Sequence, residues 1–115
     1  GRGKDLIITG GYNVYPKEVE TEIDEMPGVI ESAVIGVPHP DFGEGVTACV
    51  VCKPGAEITA KGIATALEQR LAKFKQPKQV FVVAELPRNT MGKVQKNLLR
   101  EQYKDIYAKQ LKAGE

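Results

Sequence analysis

Residues 5–20, DLIITGGYNVYPKEVE, hold the pattern that decides how the chain folds. Asp5–Thr9 is a short β-rich run, Gly10–Asn13 interrupts it, and Val14-Tyr15 is a second extended piece, so we expect a small hairpin. Pro16 stands where a helix favours proline, at its first position. Apolar residues then recur at helical spacing: Val19, Ile23 and Met26. The stretch therefore predicts a hairpin that leads directly into an amphipathic helix.

Strands and helices alternate along the rest of the chain. Three strands are predicted from β-rich runs: Val29–Val37, Val46–Lys53 and Gln79–Ala84. Two helices are predicted from periodic apolar residues: about Thr59–Phe74, with Thr59 as the cap, and about Lys96–Lys109. Between the first two strands, Pro38–Gly45 has the composition of a turn-rich loop. This order predicts a small, compact α+β domain, with an opening two-stranded hairpin and an approximately three-stranded main sheet flanked by helices.

The composition indicates one domain and excludes several classes of protein. The 115 residues include 16 Lys and Arg against 15 Asp and Glu, a formal charge of +1. A chain of this length usually forms a single domain, and so small a charge is unlike the basic excess of a nucleic-acid-binding module. No apolar run approaches the ~20 residues that cross a bilayer, and no leader peptide opens the chain. We therefore expect a cytoplasmic protein without nucleic-acid or membrane partners.

The two cysteines stand three residues apart, in Cys49-Val50-Val51-Cys52. A structural zinc site needs four ligands, and no second ligand pair accompanies this one. In a strand, residues three apart point to opposite faces, so the two thiols should diverge. We expect two packed, reduced cysteines and no metal site.

A self-contained active site is not visible in the sequence. His39 is the only histidine, which excludes a multi-histidine metal site. Ser32 lacks the Gly-x-Ser-x-Gly elbow of a hydrolase nucleophile. Gly92-Lys93 lacks both the upstream glycine and the following Ser or Thr of a phosphate-binding P-loop. The residues suited to ligand binding are instead concentrated in two loop regions.

The first region comprises Gly1–Asp5 and Gly10–Asn13. Glycines let a backbone approach a ligand closely, and Arg2 can donate to phosphate or ribose oxygens. The alternative is an ordinary hairpin turn with a solvated arginine.

The second region is Pro87–Lys93, which opens a basic stretch without any acid. The stretch carries a local charge of +4: Arg88, Lys93, Lys96 and Arg100. Lys93 stands beside a glycine on an exposed turn. Its ammonium can reach into the site of another domain or molecule and bind phosphate or carboxylate as a point charge. The alternative is a solvated basic face that leads into a helix. Three earlier lysines are predicted to be solvated: Lys73, Lys75 and Lys78.

Five motifs follow one another in a distinctive order. They are Gly-Arg-x-Lys-Asp, Gly-Gly-Tyr-Asn-Val-Tyr-Pro-x-Glu-Val-Glu, Gly-Val-Pro-His-Pro-Asp-x-Gly-Glu, Phe-Lys-x-Pro-Lys and Leu-Pro-Arg-Asn-x-x-Gly-Lys-Val-x-Lys. From Arg2 to about Tyr103 they resemble the small C-terminal domain of the adenylate-forming superfamily, which includes acyl-CoA synthetases, firefly luciferase and peptide-synthetase adenylation domains. Within it, GGYNVYPKEVE and LPRNTMGKVQKNLLRE look most like malonyl-CoA synthetases.

The resemblance implies a ligase that works in two steps. A small carboxylic acid, malonate or similar, attacks ATP to give acyl-adenylate and pyrophosphate, and the thiol of coenzyme A then displaces AMP. ATP, Mg²⁺ and coenzyme A would serve the full-length enzyme, with none bound by this domain alone. Residues 1–115 would be its mobile C-terminal domain, presenting a different face to the large N-terminal domain in each step.

The same resemblance implies roles for three basic residues. Lys93 matches the catalytic lysine of the adenylation step, where a cation stabilises charge on the transferring group. Arg2 matches an arginine near the nucleotide, and Lys4 matches the hinge. Because acyl-CoA synthetases are often silenced by acylation of this lysine, Lys93 is also the predicted modification site of a lysine acetyltransferase, with a deacetylase as its counterpart.

The resemblance also concerns two turns. Gly10, Gly11 and Tyr12 match the loop that lines the coenzyme A tunnel in the thioester-forming state. His39 and Glu44 belong to a recurring Pro-His-x-x-x-Gly-Glu turn, for which we predict a structural role.

Two other functions stay open. The chain could belong to an adenylation domain that loads a carrier protein, or be a stand-alone binding module whose Lys93 loop docks a modifying enzyme. The start of the chain inside the first motif, at Gly1-Arg2, favours a piece of a larger enzyme, and we expect the isolated domain to be inactive.

Overall fold

A computed structural model of the chain describes residues 5–108. Five strands are present: β1 Ile7–Thr9, β2 Tyr12–Val14, β3 Val29–His39, β4 Gly43–Cys52 and β5 Gln79–Val82. Three α-helices accompany them: α1 Pro16–Asp24, α2 Ala60–Leu67 and α3 Lys96–Tyr103. The predicted α+β domain is confirmed, with its opening hairpin, its three main strands and its flanking helices.

The strands form one mixed sheet in which β4 is the central member. β3 and β4 pair antiparallel along their whole length, from Val29↔Cys52 to His39↔Gly43. β5 runs parallel to β4 on its other side. The opening hairpin, β1 with β2, joins the start of β4 through the antiparallel pair Thr9↔Gly43. One strand therefore holds β1, β3 and β5 in register.

Each face of the sheet carries its own apolar core, as the side-chain alternation of β4 requires. Even-numbered residues of β4 face the core beneath α1 and α2, whose main members are Ile7, Val14, Val19, Ile23, Val34, Val46, Ala48, Val50, Ile63 and Leu67. Odd-numbered residues face the core beneath α3, whose members are Ala33, Ile35, Val37, Cys49, Val51, Leu86, Leu99 and Tyr107. Cys49 lies in the second core and Cys52 packs against the first, so the predicted divergence of the two thiols is confirmed.

The segment Pro38–Gly45 is mostly strand, which corrects the predicted loop. β3 continues to His39 and β4 begins at Gly43. Pro38 can stay in β3 because that strand lies at the edge of the sheet, where a missing N–H costs no ladder bond. Gly43 adopts a φ of +81°, which a side chain would disfavour, and so reverses the chain within three linking residues.

Helix α2 is shorter than predicted. Thr59 caps it as expected, its Oγ1 accepting from the Gly62 N–H at 3.0 Å. At residues 68–70 the backbone bonds tighten to the i→i−3 type, and a 3-10 turn follows at Lys73–Lys75. Leu71 is still buried, whereas Phe74, at the predicted end of the helix, is exposed.

The C-terminal ends of two other predicted elements, a strand and a helix, also differ from the structure. β5 stops at Val82 rather than Ala84, and α3 stops at Tyr103 before a further helical turn; Lys109 lies outside the described residues. Within residues 5–108, no helix is long and apolar enough to cross a membrane.

Candidate functional site

Lys93 ends a tight turn whose backbone is held by one asparagine. The Asn89 Oδ1 accepts from the backbone N–H of Met91 at 2.9 Å and from that of Lys93 at 3.0 Å. The Asn89 N–H in turn donates to the Lys93 carbonyl at 2.9 Å. Gly92 has a φ of +84°, which a residue with a side chain rarely adopts. The turn is therefore rigid at its base, while the Lys93 side chain is exposed.

Further bonds close the turn on both sides. Arg88 forms a β-bridge with Val94, and the Gln95 N–H donates to the Pro87 carbonyl at 2.8 Å. The Arg88 guanidinium donates through Nη1 to the Gly92 carbonyl at 2.8 Å and through Nη2 to the Glu31 carboxylate on β3. Arg88, predicted to belong to a solvated basic face, is thus ion-paired.

Lys96 also departs from that predicted basic face. Its ammonium lies 2.7 Å from Glu20 Oε2 and 3.3 Å from Asp5 Oδ2, and its side chain is only 16% exposed. The same Glu20 oxygen accepts from the Val34 N–H of the edge strand at 2.8 Å. Lys96 therefore joins the start of α3 to α1, to β3 and to the residue after the predicted hinge. The predicted hinge residue Lys4 and the predicted nucleotide-binding Arg2 lie outside the described residues.

The Gly10-Gly11 turn is closed on one side and open on the other. The Gly10 N–H donates to the Phe42 carbonyl at 2.8 Å, and a Cβ on Gly10 would stand 3.2 Å from the Phe42 ring. A Cβ on Gly11 would meet nothing within 4 Å. Both glycines have positive φ, +57° and +86°. The open side of Gly11 lets another molecule approach the backbone directly.

An exposed aromatic pair stands beside this turn. Tyr12 is 58% exposed and stacks on Phe74, with the ring centroids 4.6 Å apart. The Lys75 ammonium lies 5.6 Å from the Phe74 ring and 2.8 Å from Glu18 Oε2. Lys75, predicted to be solvated, is thus paired. The stacking of Phe74 was missed because its partner is distant in sequence; its place in Phe-Lys-x-Pro-Lys was the available signal.

His39 and Glu44 make internal contacts, as the predicted structural role requires. The Glu44 Oε1 accepts from the Ile8 N–H at 2.9 Å and so fastens β1 to β4. The His39 ring packs between Phe42 and Tyr107, at centroid distances of 4.9 and 4.8 Å. Burial, and then the neighbouring Lys78 ammonium, lower the pKa of His39.

Lys78 does not have the purely solvated side chain that was predicted. Its ammonium lies 3.9 Å from the centroid of the Phe42 ring, within the range of a cation–π contact. A second basic group thus lies beside the Gly10-Gly11 turn.

The two loops lie at opposite ends of the β3–β4 hairpin. The Lys93 turn is bonded to Glu31, near the start of β3, and the Gly10-Gly11 turn is bonded to Phe42, just beyond its end at His39. At about 3.3 Å per strand residue, Glu31 and His39 are roughly 26 Å apart. The anchor points of the two loops are therefore well separated along the strand.

Residues 5–108 contain no group of three or more His, Cys, Asp or Glu placed to hold a metal ion. The two loops offer an exposed cation and an aromatic, glycine-rich platform, which suit binding to phosphate, carboxylate and ring-bearing groups.

The chain is similar to known proteins over most of its length. Residues 18–93 match the family of AMP-binding enzyme C-terminal domains. The chain is 50% identical over 103 residues to 3-[(3aS,4S,7aS)-7a-methyl-1,5-dioxo-octahydro-1H-inden-4-yl]propanoyl:CoA ligase of Rhodococcus jostii, covering 90% of this chain and 20% of that protein. Crystal structures of MatB from Rhodopseudomonas palustris superpose with TM-scores of 0.90, at 71% identity for the apo form and 70% for the ATP-bound form. Each superposition covers 93% of this chain and 21% of MatB. The chain thus spans about a fifth of the relatives that it matches.

Proposed function

This chain belongs to the family of AMP-binding enzyme C-terminal domains, and from that premise we propose that it is the mobile C-terminal domain of an ATP-dependent acyl-CoA synthetase. The parent enzyme, meaning the longer protein that would contain this chain, forms an acyl-adenylate and then a thioester. Its own N-terminal domain is the main partner of residues 1–115.

The separation of the two loops is the observation that carries the proposal. The Lys93 turn and the Gly10-Gly11 turn are anchored near Glu31 and just beyond His39, positions roughly 26 Å apart as counted along β3, on a sheet that β4 holds in register. A single active site can meet only one of them at a time. A domain with two distant functional loops fits a two-step reaction in which it turns between the steps.

Lys93 serves the first step. As the carboxylate attacks the α-phosphorus of ATP and pyrophosphate leaves, negative charge lies on the oxygens around the reacting phosphorus. An ammonium held on a rigid, exposed turn can meet those oxygens without the cost of ordering the loop. ATP is supported as the nucleotide by the similarity to ATP-bound MatB, and Arg2 would contact its ribose or phosphates.

The Gly10-Gly11 turn serves the second step. The open side of Gly11 leaves space for the narrow pantetheine arm of coenzyme A. The adjacent Tyr12–Phe74 pair presents an aromatic face, on which an adenine ring can stack. Lys78 lies nearby as a cation for the phosphates of coenzyme A. Lys4 would be the hinge about which the domain turns, so that these residues take the place of Lys93 at the active site.

The similarity to MatB supports malonate, or a similar small carboxylic acid, as the acyl substrate. The curated relative reported above is a CoA ligase, which favours coenzyme A over a carrier protein as the thiol. We further propose that acetylation of Lys93 regulates the parent enzyme, because it would remove the charge that the first step needs.

The test separates the two half-reactions in the parent enzyme. Lys93→Ala should slow adenylation, measured as pyrophosphate-dependent ATP formation, by about 10²–10³-fold, the usual scale for one electrostatic donor. Thioester formation from supplied acyl-adenylate should be unchanged. Lys93→Gln, which mimics acetyl-lysine, should behave like Lys93→Ala, and Lys61→Ala, at an exposed lysine of α2, serves as the matched control.

Tyr12→Ala should show the opposite pattern, with slower thioester formation and normal adenylation. The 115-residue chain alone, given ATP, Mg²⁺, malonate and coenzyme A, should form no thioester. Equal losses in both steps for both variants would contradict the assignment of one loop to each step. Turnover by the 115-residue chain would contradict the proposal that most of the active site lies in the N-terminal domain.

A further inference from the structure

The turn that carries Lys93 is tied to the sheet by a single arginine. Arg88 Nη1 donates to the Gly92 carbonyl, directly before Lys93, at 2.8 Å. Nη2 of the same guanidinium donates to Glu31 Oε1 on β3. The planar fork of a guanidinium can serve two acceptors at fixed positions, whereas a lysine ammonium is a point charge. One side chain thus connects the peptide before Lys93 to the main sheet.

Stability alone does not account for this arrangement. The side chains of Arg88 and Glu31 are 41% and 30% exposed, and a half-exposed ion pair of this kind adds little to folding. Asn89 already maintains the shape of the turn through local bonds. Among residues 5–108, the Arg88–Glu31 contact is the one hydrogen bond that joins the Pro87–Lys93 turn to the sheet. It sets where the turn lies, alongside the packing of Leu86 and Val94 on the same face of the sheet, and through the Gly92 carbonyl it also restrains the turn that Asn89 holds.

We propose that Arg88, oriented by Glu31, is a positioning residue for Lys93 in the adenylation step. This inference rests on the proposed function, because it concerns where the Lys93 ammonium stands when charge develops on the transferring group. A misplacement of about 1 Å can cost about 10²-fold in rate. The charge of Arg88 is already matched by Glu31, so its contribution is the bridge and not a second cation.

The structure provides a closely matched control on another surface. Arg70 pairs with Glu22 at 3.1 Å, with side chains 39% and 31% exposed, and reaches a second acceptor at Glu25, 3.4 Å away, just as Arg88 serves two acceptors. Arg88→Met and Arg70→Met therefore remove equivalent half-exposed guanidinium groups. Glu31→Gln and Glu22→Gln form the corresponding acidic pair of variants.

In the parent enzyme, Arg88→Met and Glu31→Gln should each lower kcat for adenylation by about 10- to 100-fold, with the KM for ATP and thioester formation unchanged. The double variant should be no slower than the slower single variant, since both remove one bridge. The two control variants should match the wild type. A loss of both half-reactions, or an equal loss in Arg70→Met, would overturn the proposal.

Two further variants separate the bridge from the charge. Arg88→Lys keeps the cation but cannot serve both acceptors, so adenylation should stay slow. If Arg88 acted directly on the phosphates, Arg88→Lys would be nearly as active as the wild type and Glu31→Gln would be harmless. Either result would overturn the positioning role.

A readout independent of activity uses the 115-residue chain itself. In Arg88→Met, amide hydrogen exchange at Met91 and Lys93 should be at least about tenfold faster, because local opening of the turn sets the rate. Exchange in α2 should not change. Unchanged exchange would overturn the inference, as would faster exchange together with normal adenylation. In contrast, a normal adenylation rate for Lys93→Ala would refute the proposed function. The Arg88–Glu31 bridge would then have no catalytic lysine to position.

Discussion

Replacing Gly45 with alanine should destabilise the fold through a clash with one buried ring. A Cβ at this position would lie 2.8 Å from Tyr107 Cε2 and 3.1 Å from its Cζ, where ordinary contacts begin at 3.4 Å. The ring would have to move by at least about 0.6 Å. It cannot move freely, because it packs on His39 and its hydroxyl lies 2.9 Å from Thr47 Oγ1.

The size of the effect follows from these contacts. The single hydroxyl hydrogen of Thr47 is donated to the Gly45 carbonyl at 3.0 Å, so Tyr107 donates to Thr47 in a buried bond. Overpacking costs about 1–3 kcal/mol, and weakening that hydrogen bond adds up to about 1 kcal/mol. We expect Gly45→Ala to lower the free energy of unfolding by about 2–3 kcal/mol, and Tm by about 10–20 °C.

Urea unfolding of the 115-residue chain, followed by far-ultraviolet circular dichroism, would measure the loss. Gly36→Ala is the matched control, since its Cβ would meet the end of the Glu44 side chain, which can shift by giving up its exposed bond to the Ile8 N–H, rather than a fixed ring; its cost should stay at or below about 1 kcal/mol. In a Tyr107→Ala background the Gly45→Ala cost should nearly vanish. A full cost in that background, or a cost below about 0.5 kcal/mol in the wild type, would refute the reasoning.

Two further predictions concern titratable groups. His39 Nδ1 accepts from the Asp41 N–H at 3.1 Å, and burial and Lys78 lower the His39 pKa. The folded state therefore binds a proton at His39 less readily than the unfolded state does. As a result, the free energy of unfolding should decrease as the pH falls from 6.5 through the lower pKa of the folded state. NMR of this sole histidine should give a midpoint below 6.5 that rises in Lys78→Met, and a midpoint above 6.5 would contradict the packing. Cys49 is fully buried and its pKa is raised by burial to about 11, so iodoacetamide at about pH 8 should label Cys52 first. Equal labelling of both thiols in the folded chain, checked by mass spectrometry, would count against this core.

Local patterns were enough to predict much of the fold. Pro16 and the apolar spacing after it located α1, whose Val19 and Ile23 are buried as predicted. The opposite faces of Cys49 and Cys52 followed from the period of a strand. These features depend on residues close together in the chain.

Features that depend on distant partners could not be predicted. The edge position of β3, which admits Pro38, depends on the order of strands in the sheet. Arg88 finds Glu31 at a separation of 57 residues, and Phe74 stacks on a tyrosine that precedes it by more than sixty. The roles of Lys93 and of the Gly10-Gly11 turn stay predictions that the half-reactions will test.

The central place of β4 has a consequence for insertions and deletions. One residue added between Gly45 and Cys49 would exchange the faces of every β4 side chain beyond it, moving Cys49 from one core to the other. Because β4 pairs with both β3 and β5 along this stretch, the same insertion would shift two registers together. We therefore expect length differences among related domains to fall in exposed connections such as residues 53–57, and β4 to keep a constant length.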